Sequence, residues 1–182
     1  MKIFVTGGNG FIGSVVVQRL LQSGHDVRCL LRPGSRTERI DGLPLERVRG
    51  DVRDPACVGA GMAGCHATIH LAGPSSWRDI GSRALNDIVE GGARNVLDTA
   101  VGLPGHRVIH VSSVVAVNGA DQPVVFNEAS PFTRDDPRLR YAYAKREAES
   151  LCGRAMDLGA AVVIVNPAEV YGPADTSLVT AG

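Results

Sequence analysis

The chain has 182 residues, 44% of them hydrophobic, with 19 basic and 19 acidic side chains. That length supports one domain with a sizeable core and leaves little room for a second, and the charge balance gives no electrostatic reason to expect nucleic acid or an anionic membrane surface as partner. No apolar run approaches the ~20 residues of a membrane span, no signal-peptide pattern opens the chain, and Cys29, Cys57, Cys65 and Cys152 form no CxxC pair, which indicates free thiols, no metal and a cytoplasmic small-molecule protein.

The apolar run Ile3, Phe4, Val5 leads into TGGNGFIG, Thr6 to Gly13, and then into Val15, Val16, Val17. This reads as a strand, a glycine turn and a helix, with Ile12, Val16 and Leu20 at helical spacing and Gly24 as the stop. The glycines fit both GxGxxG (Gly8, Gly10, Gly13) and GxxGxxG (Gly7, Gly10, Gly13), and either spacing lets backbone approach a pyrophosphate at a helix N-terminus. A second strand, Val27 to Leu31, is followed by Arg32 and Arg36. An acidic residue about 20 positions past the glycines would bind a ribose 2′-hydroxyl, whereas an arginine accommodates a 2′-phosphate, so NADP is expected over NAD.

Leu45 to Gly50 reads as the third strand, placing Asp51 at its carboxyl end as an adenine contact or a local turn acceptor, and Asp54-Pro55 as a helix cap and first turn. His66 to Leu71 is the fourth strand, ending in HLAG, where Ala72 and Gly73 permit close approach to a ligand; His70 reads as a packed strand residue. The next helix carries Leu85, Ile88, Val96, Leu97 and Ala100, with a kink or tight contact expected at Gly91-Gly92. Arg107 to Val111 is the fifth strand and runs into Ser112-Ser113. A long polar loop spans Asn118 to Asp136, of a length usually tied to function. A helix from near Pro137 to Gly159 and a sixth strand, Ala161 to Val165, complete the alternation. The pattern predicts a Rossmann-like, doubly wound parallel sheet in the order 3-2-1-4-5-6, one domain over 1–182 with its ligand crevice at the strand carboxyl ends.

Tyr141 and Lys145 are spaced i, i+4 and share a helix face. An ammonium beside a phenol favours the phenolate, so Lys145 is expected to lower the Tyr141 pKa and suit it to proton exchange with a carbonyl or alcohol oxygen. Ser112 or Ser113 would hold that oxygen; strand alternation allows one of them and does not choose. Tyr143 is the rival phenol, but Glu147 four residues on would raise its pKa. The bland reading is a surface helix with a Lys145–Glu149 ion pair.

Taken in order, TGGNGFIG, GDVRD, HLAG, HVSSV, YAYAK and NPAEVYGP resemble the extended short-chain dehydrogenase/reductases, the NAD-dependent epimerase/dehydratase superfamily, on its dihydroflavonol-reductase-like side. The resemblance implies Gly7, Gly10 and Gly13 with Phe11 and Ile12 as the phosphate turn, Arg32 at the adenosine phosphate, Asp51 and Val52 at the adenine, and Leu71, Ala72 and Gly73 along the cofactor. It also implies Ser113 and Tyr141 as catalytic groups, Lys145 on the nicotinamide ribose, and Pro167 beside the nicotinamide. The implied activity is NADP-dependent hydride transfer between nicotinamide and a carbonyl or alcohol; the alternatives are a nucleotide-sugar epimerase or dehydratase using NAD, and a non-catalytic dinucleotide-binding fragment. Related enzymes dimerise through two helices, here 83–101 and 141–158. Two departures stand out: Val89 occupies a helix position where the family often has asparagine, with Asn86 and Asn95 nearby, and the sequence stops at Gly182, before the family's substrate-binding region. A chain cut short after the sixth strand, with an exposed apolar edge, is the expectation.

Overall fold

The structure, a computed structural model, describes residues 1–74, 80, 82, 84–173 and 175. Six strands, β1 (Lys2–Thr6), β2 (Asp26–Leu31), β3 (Glu46–Arg49), β4 (Ala67–His70), β5 (Arg107–Val111) and β6 (Ala161–Val165), form one sheet in the order β3-β2-β1-β4-β5-β6. Every adjacent pair is parallel, which is the expected topology. Helices α1 (Phe11–Gln22), α2 (Pro55–Met62), α3 (Gly92–Val101) and α4 (Arg140–Asp157) supply the crossovers.

Alternation along the strands sorts side chains into two cores. Ile3 and Val5 of β1 join Val17 of α1 on one face, while Phe4 faces Met62, Val96, Leu97 and Ala148 on the other. Gly61 of α2 lies directly on the Phe4 ring, where any Cβ would collide with it. Full burial of a side chain such as Phe4 contributes roughly 1.5–3 kcal/mol.

The helix ends follow their sequence signals. Gly24 and Gly159 adopt φ of 76° and 93°, and the next residues, His25 and Ala160, donate back to the carbonyls of Leu20 and Ala155, each at 3.0 Å, as Schellman caps do. The Asp54 carboxylate accepts from the Ala56 amide at 2.9 Å, with Pro55 in the first turn. The Gly91-Gly92 kink takes a specific form, a π-helical turn over Asp87–Gly91 continuing into α3. Gly92 gives the tight contact: a Cβ there would stand 3.0 Å from a Val52 methyl.

One expectation needs correction. The last long helix begins at Arg140 instead of near Pro137, because the Asp136 carboxylate accepts from the Arg138 amide at 2.9 Å and Leu139 N–H closes a turn onto the Asp136 carbonyl. On α1, Gly13, Ser14 and Val17 are buried, and Val16 and Leu20, at the helical spacing read for them, pack half-buried against the same core. Arg83, the expected start of one helix, lies outside the described residues. On β6, Val163 and Val165 are exposed, an apolar face on an edge strand. No helix among the described residues is long and apolar enough to cross a membrane.

Candidate active site

The carboxyl ends of the strands open onto one elongated crevice of about 760 Å³. Its floor is the β1–α1 turn. Gly7 has φ of 71°, and a Cβ on it would lie 2.7 Å from the Leu71 carbonyl carbon. A Cβ on Gly13 would collide with the Gly7 carbonyl oxygen, and the Gly10 amide donates to that same oxygen at 3.0 Å. Gly8 instead packs inward, where an added Cβ would stand 2.8 Å from Cys29 Sγ. The backbone thus uses the GxxGxxG spacing for its turn and the extra glycine for packing. No side chain among the described residues caps the N-terminus of α1, so first-turn amides remain for an anion.

At one end of the crevice lie Arg32 and Arg36 after β2, joined by Arg39. Asn9 Nδ2 donates to the Arg36 carbonyl at 2.7 Å, tying the arginine loop to the glycine turn. Asp51 and Val52 line the crevice, as do Leu71, Ala72 and Gly73. Asp51 is held by a bidentate grip from Arg53, at 3.0 and 2.7 Å, and accepts the Arg53 amide at 2.9 Å. The Arg53 guanidinium keeps its carboxyl below the ordinary range. Both carboxylate oxygens thus have Arg53 as a local partner.

At the other end stand Ser112, Ser113, Tyr141, Lys145 and Pro167. Lys145 is buried, 5% exposed; its Nζ donates to the Val111 carbonyl at 3.0 Å and sits 5.8 Å from the Tyr141 ring centroid. Burial pulls it down to about 8, opposed by the Glu149 charge. This rules out the surface-helix reading, in which Lys145 and Glu149 pair in water. Tyr141 departs from expectation: its own burial raises its phenol above the ordinary value, while the Lys145 ammonium directs its hydrogen bond at the Val111 carbonyl. The rival Tyr143 is occupied, its Oη donating to the Arg134 carbonyl at 2.9 Å and accepting from the Asp136 amide at 3.0 Å. Glu147, read as its neighbour, pairs with Arg154 at 2.7 Å. Ser112 Oγ is buried with no hydrogen-bond partner among the described residues, whereas the half-exposed Ser113 accepts the Val115 amide at 3.4 Å.

Behind these groups, Thr6, His70 and His110 occupy one row across β1, β4 and β5. Thr6 Oγ1 and His70 Nδ1 are hydrogen bonded at 2.7 Å, and the two imidazoles lie 5.4 Å apart. Burial and the Lys145 charge hold both rings neutral, His110 down to about 3. His70 is the packed strand residue expected; its partner His110 sits in HVSS at the end of β5, where the sequence signals a strand-end histidine but not its pairing. The α3 region offers Lys145 no asparagine: Val89 is in the core, Asn86 Nδ2 donates to Glu90, and Asn95 Nδ2 donates to the Val52 carbonyl at 2.9 Å. Among the described residues no His, Cys, Asp and Glu cluster could hold a metal ion.

Comparison with known proteins gives the same picture. The chain is 34% identical over 172 residues to a putative dihydroflavonol 4-reductase of Synechocystis, covering 94% of this chain and 50% of that protein. It is 30% identical over 182 residues to a 2-alkyl-3-oxoalkanoate reductase of Stenotrophomonas maltophilia, covering 98% and 54%. The chain thus spans about half the length of the curated relatives it matches. Among solved structures, the dTDP-glucose 4,6-dehydratase of Streptomyces venezuelae, with NAD and TYD bound, superposes with a TM-score of 0.81 at 29% identity, covering 95% of this chain and 57% of that one. The family match itself runs over residues 3–181, and the chain belongs to the NAD dependent epimerase/dehydratase family.

Proposed function

We propose that the chain is the nucleotide-binding part of an NADP-dependent oxidoreductase that moves hydride between nicotinamide and a carbonyl or alcohol through Ser113, Tyr141 and Lys145. The carrying observation is that one continuous crevice has arginines at one end, side-chain-free glycine backbone in its middle, and a serine, a phenol and a buried ammonium at the other. The fit to a dinucleotide rests on that middle section, where Gly7 and Gly13 leave no room for a Cβ and α1 presents uncapped amides. Arg32 and Arg36 would take the 2′-phosphate, Asp51 and Val52 the adenine side, and Pro167 the nicotinamide side.

When bound, the nicotinamide supplies or accepts the hydride. The Ser113 hydroxyl would donate to the substrate oxygen and orient it. The Tyr141 hydroxyl would pass its proton to that oxygen as hydride arrives at carbon, leaving a phenolate that solvent reprotonates. Lys145, with a pKa of about 8, is charged for most of the time at neutral pH and would stabilise that phenolate while donating to a ribose hydroxyl. Burial of Tyr141 favours the protonated phenol at rest, which suits the reductive direction.

The test is binding of NADPH and NADH followed by fluorescence. NADPH is expected to bind more tightly, and Arg32→Ala to weaken NADPH by about tenfold, or ~1.4 kcal/mol, while leaving NADH unchanged. In a longer protein carrying this chain, Tyr141→Phe should abolish carbonyl reduction; unchanged turnover would end the mechanism. The second reading, a nucleotide-sugar epimerase or dehydratase using NAD, draws on the Streptomyces venezuelae enzyme solved with NAD and TYD. A preference for NADH over NADPH would put it first.

A further inference from the structure

A strand-borne hydroxyl can serve a helix-borne phenol only if strand and helix keep a fixed register. Between the end of β5 and α4, that register depends on a residue of a third element. Asn166, directly after β6, uses both hydrogens of its carboxamide: Nδ2 donates to the Ser113 carbonyl at 3.0 Å and to Glu149 Oε1 at 2.6 Å. Both partners are pure acceptors, so the amide can face only one way, and the bond to the carboxylate is charge-assisted and short. Glu149 stands one turn beyond Lys145 on α4; its side chain is 12% exposed, and its contact with Arg146 is looser, at 3.8 Å. The backbone along the same seam is stitched by Ser112 N–H to the Val165 carbonyl at 2.8 Å and Val114 N–H to the Pro167 carbonyl at 3.0 Å.

Building on the reading of Ser113, Tyr141 and Lys145 given above, we infer that Asn166 and Glu149 are positioning residues, a carboxamide clamp that locks the Ser113 turn to the helix carrying Tyr141 and Lys145. Neither acts on substrate. The clamp separates two effects that one side chain usually merges. Asn166 supplies geometry without charge. Glu149 supplies an acceptor for the clamp and a negative charge near Lys145; the titratable groups otherwise near that ammonium among the described residues are Tyr141 on α4 and the neutral His110 and His70 on the strands.

Two variants of the 182-residue chain distinguish these roles. Asn166→Ala removes the clamp and keeps the charge; Glu149→Gln keeps an acceptor oxygen and removes the charge. By amide exchange, Asn166→Ala should speed exchange at Val114 by about tenfold while Val108 to His110 stay as in the parent, and Glu149→Gln should leave Val114 within about twofold. By 13C NMR of the lysine ε-carbon, Glu149→Gln should lower the Lys145 titration midpoint and Asn166→Ala should not. In a longer protein carrying this chain, with phenanthrenequinone as a carbonyl probe, Asn166→Ala should reduce kcat about tenfold or more with KM for NADPH unchanged, as misplacement of a reacting group does. Parent-like Val114 exchange in Asn166→Ala, or equal loss in both variants, would overturn the clamp. Failure of the parent chain to bind NADPH would instead overturn the functional reading and leave the exchange result to decide the clamp.

Discussion

Lys145 is an ammonium held in the core, and replacing it with methionine measures what that burial costs. Its pKa of about 8, against an ordinary lysine near 10.5, corresponds to roughly 3 kcal/mol at about 1.4 kcal/mol per pH unit. The sign follows from proton counting. Between about 8 and 10.5 the unfolded chain holds a proton that the folded chain has released, so stability rises with pH across that window. Below it, the wild type bears the full cost of a buried charge. Lys145→Met removes that cost but orphans the Val111 carbonyl, a pH-independent loss of about 1–3 kcal/mol. The two terms nearly cancel near pH 7, where both proteins should show similar stability. By pH 10 the wild type should be ahead by an additional ~2–3 kcal/mol. Urea unfolding of both proteins at pH 7, 8.5 and 10, followed by circular dichroism, reads the difference directly. Tyr141, Cys29 and Cys152, all raised by burial, bias stability the other way at high pH, but they are present in both proteins and drop out of the comparison. A gap between wild type and variant that stays flat from pH 7 to 10 would refute the assignment of a buried, weakened ammonium.

Gly13→Ala places a methyl against the Gly7 carbonyl and within 2.9 Å of Gly8 Cα; with backbone on every side it should lose about 1–3 kcal/mol in thermal unfolding, and NADPH affinity should fall with it. Tyr143→Phe deletes the hydroxyl that joins Arg134 and Asp136, which should cost about 1–2 kcal/mol and raise amide exchange in the 118–136 loop while NADPH affinity is unchanged. Cys29 and Cys152 are buried, with thiols pushed up to about 12; a disulfide reagent at pH 8 should spare both in the native protein and modify Cys57 and Cys65 first.

Much of the architecture is legible in the sequence because its signals are local. The β-branched runs of β5 and β6 occupy the residues read for them, and Asp54-Pro55, Gly24 and Gly159 mark helix ends by capping chemistry that needs no distant partner. What escapes the sequence depends on tertiary contacts. The π-helical turn before α3 accompanies close packing of Gly92 on Val52. The direction of the Tyr141 shift is set by desolvation, which the i, i+4 spacing to Lys145 does not encode. Tyr143 is recognised as a loop anchor only through Arg134 and Asp136, and Asn166 only once Ser113 and Glu149 are seen around it. The one local signal for Asn166 is its place at a strand end, opening NPAEVYGP, where functional side chains gather.

The imidazole row beneath the site gives the whole fold a vulnerability to acid. His70 and His110 of that row, and His106 at the opposite, amino-terminal end of β5, where its Nε2 meets Thr68 Oγ1 at 2.8 Å, are all held below the ordinary histidine range, foremost by burial. As pH falls through 6.5 the unfolded chain gains protons that these rings refuse, at up to about 1.4 kcal/mol per ring per pH unit. Stability should therefore begin to fall as pH drops below about 6.5, before most carboxylates begin to titrate. Two of the three rings sit side by side on β4 and β5, so protonating either would drive apart the central strands first and take the nucleotide crevice with them.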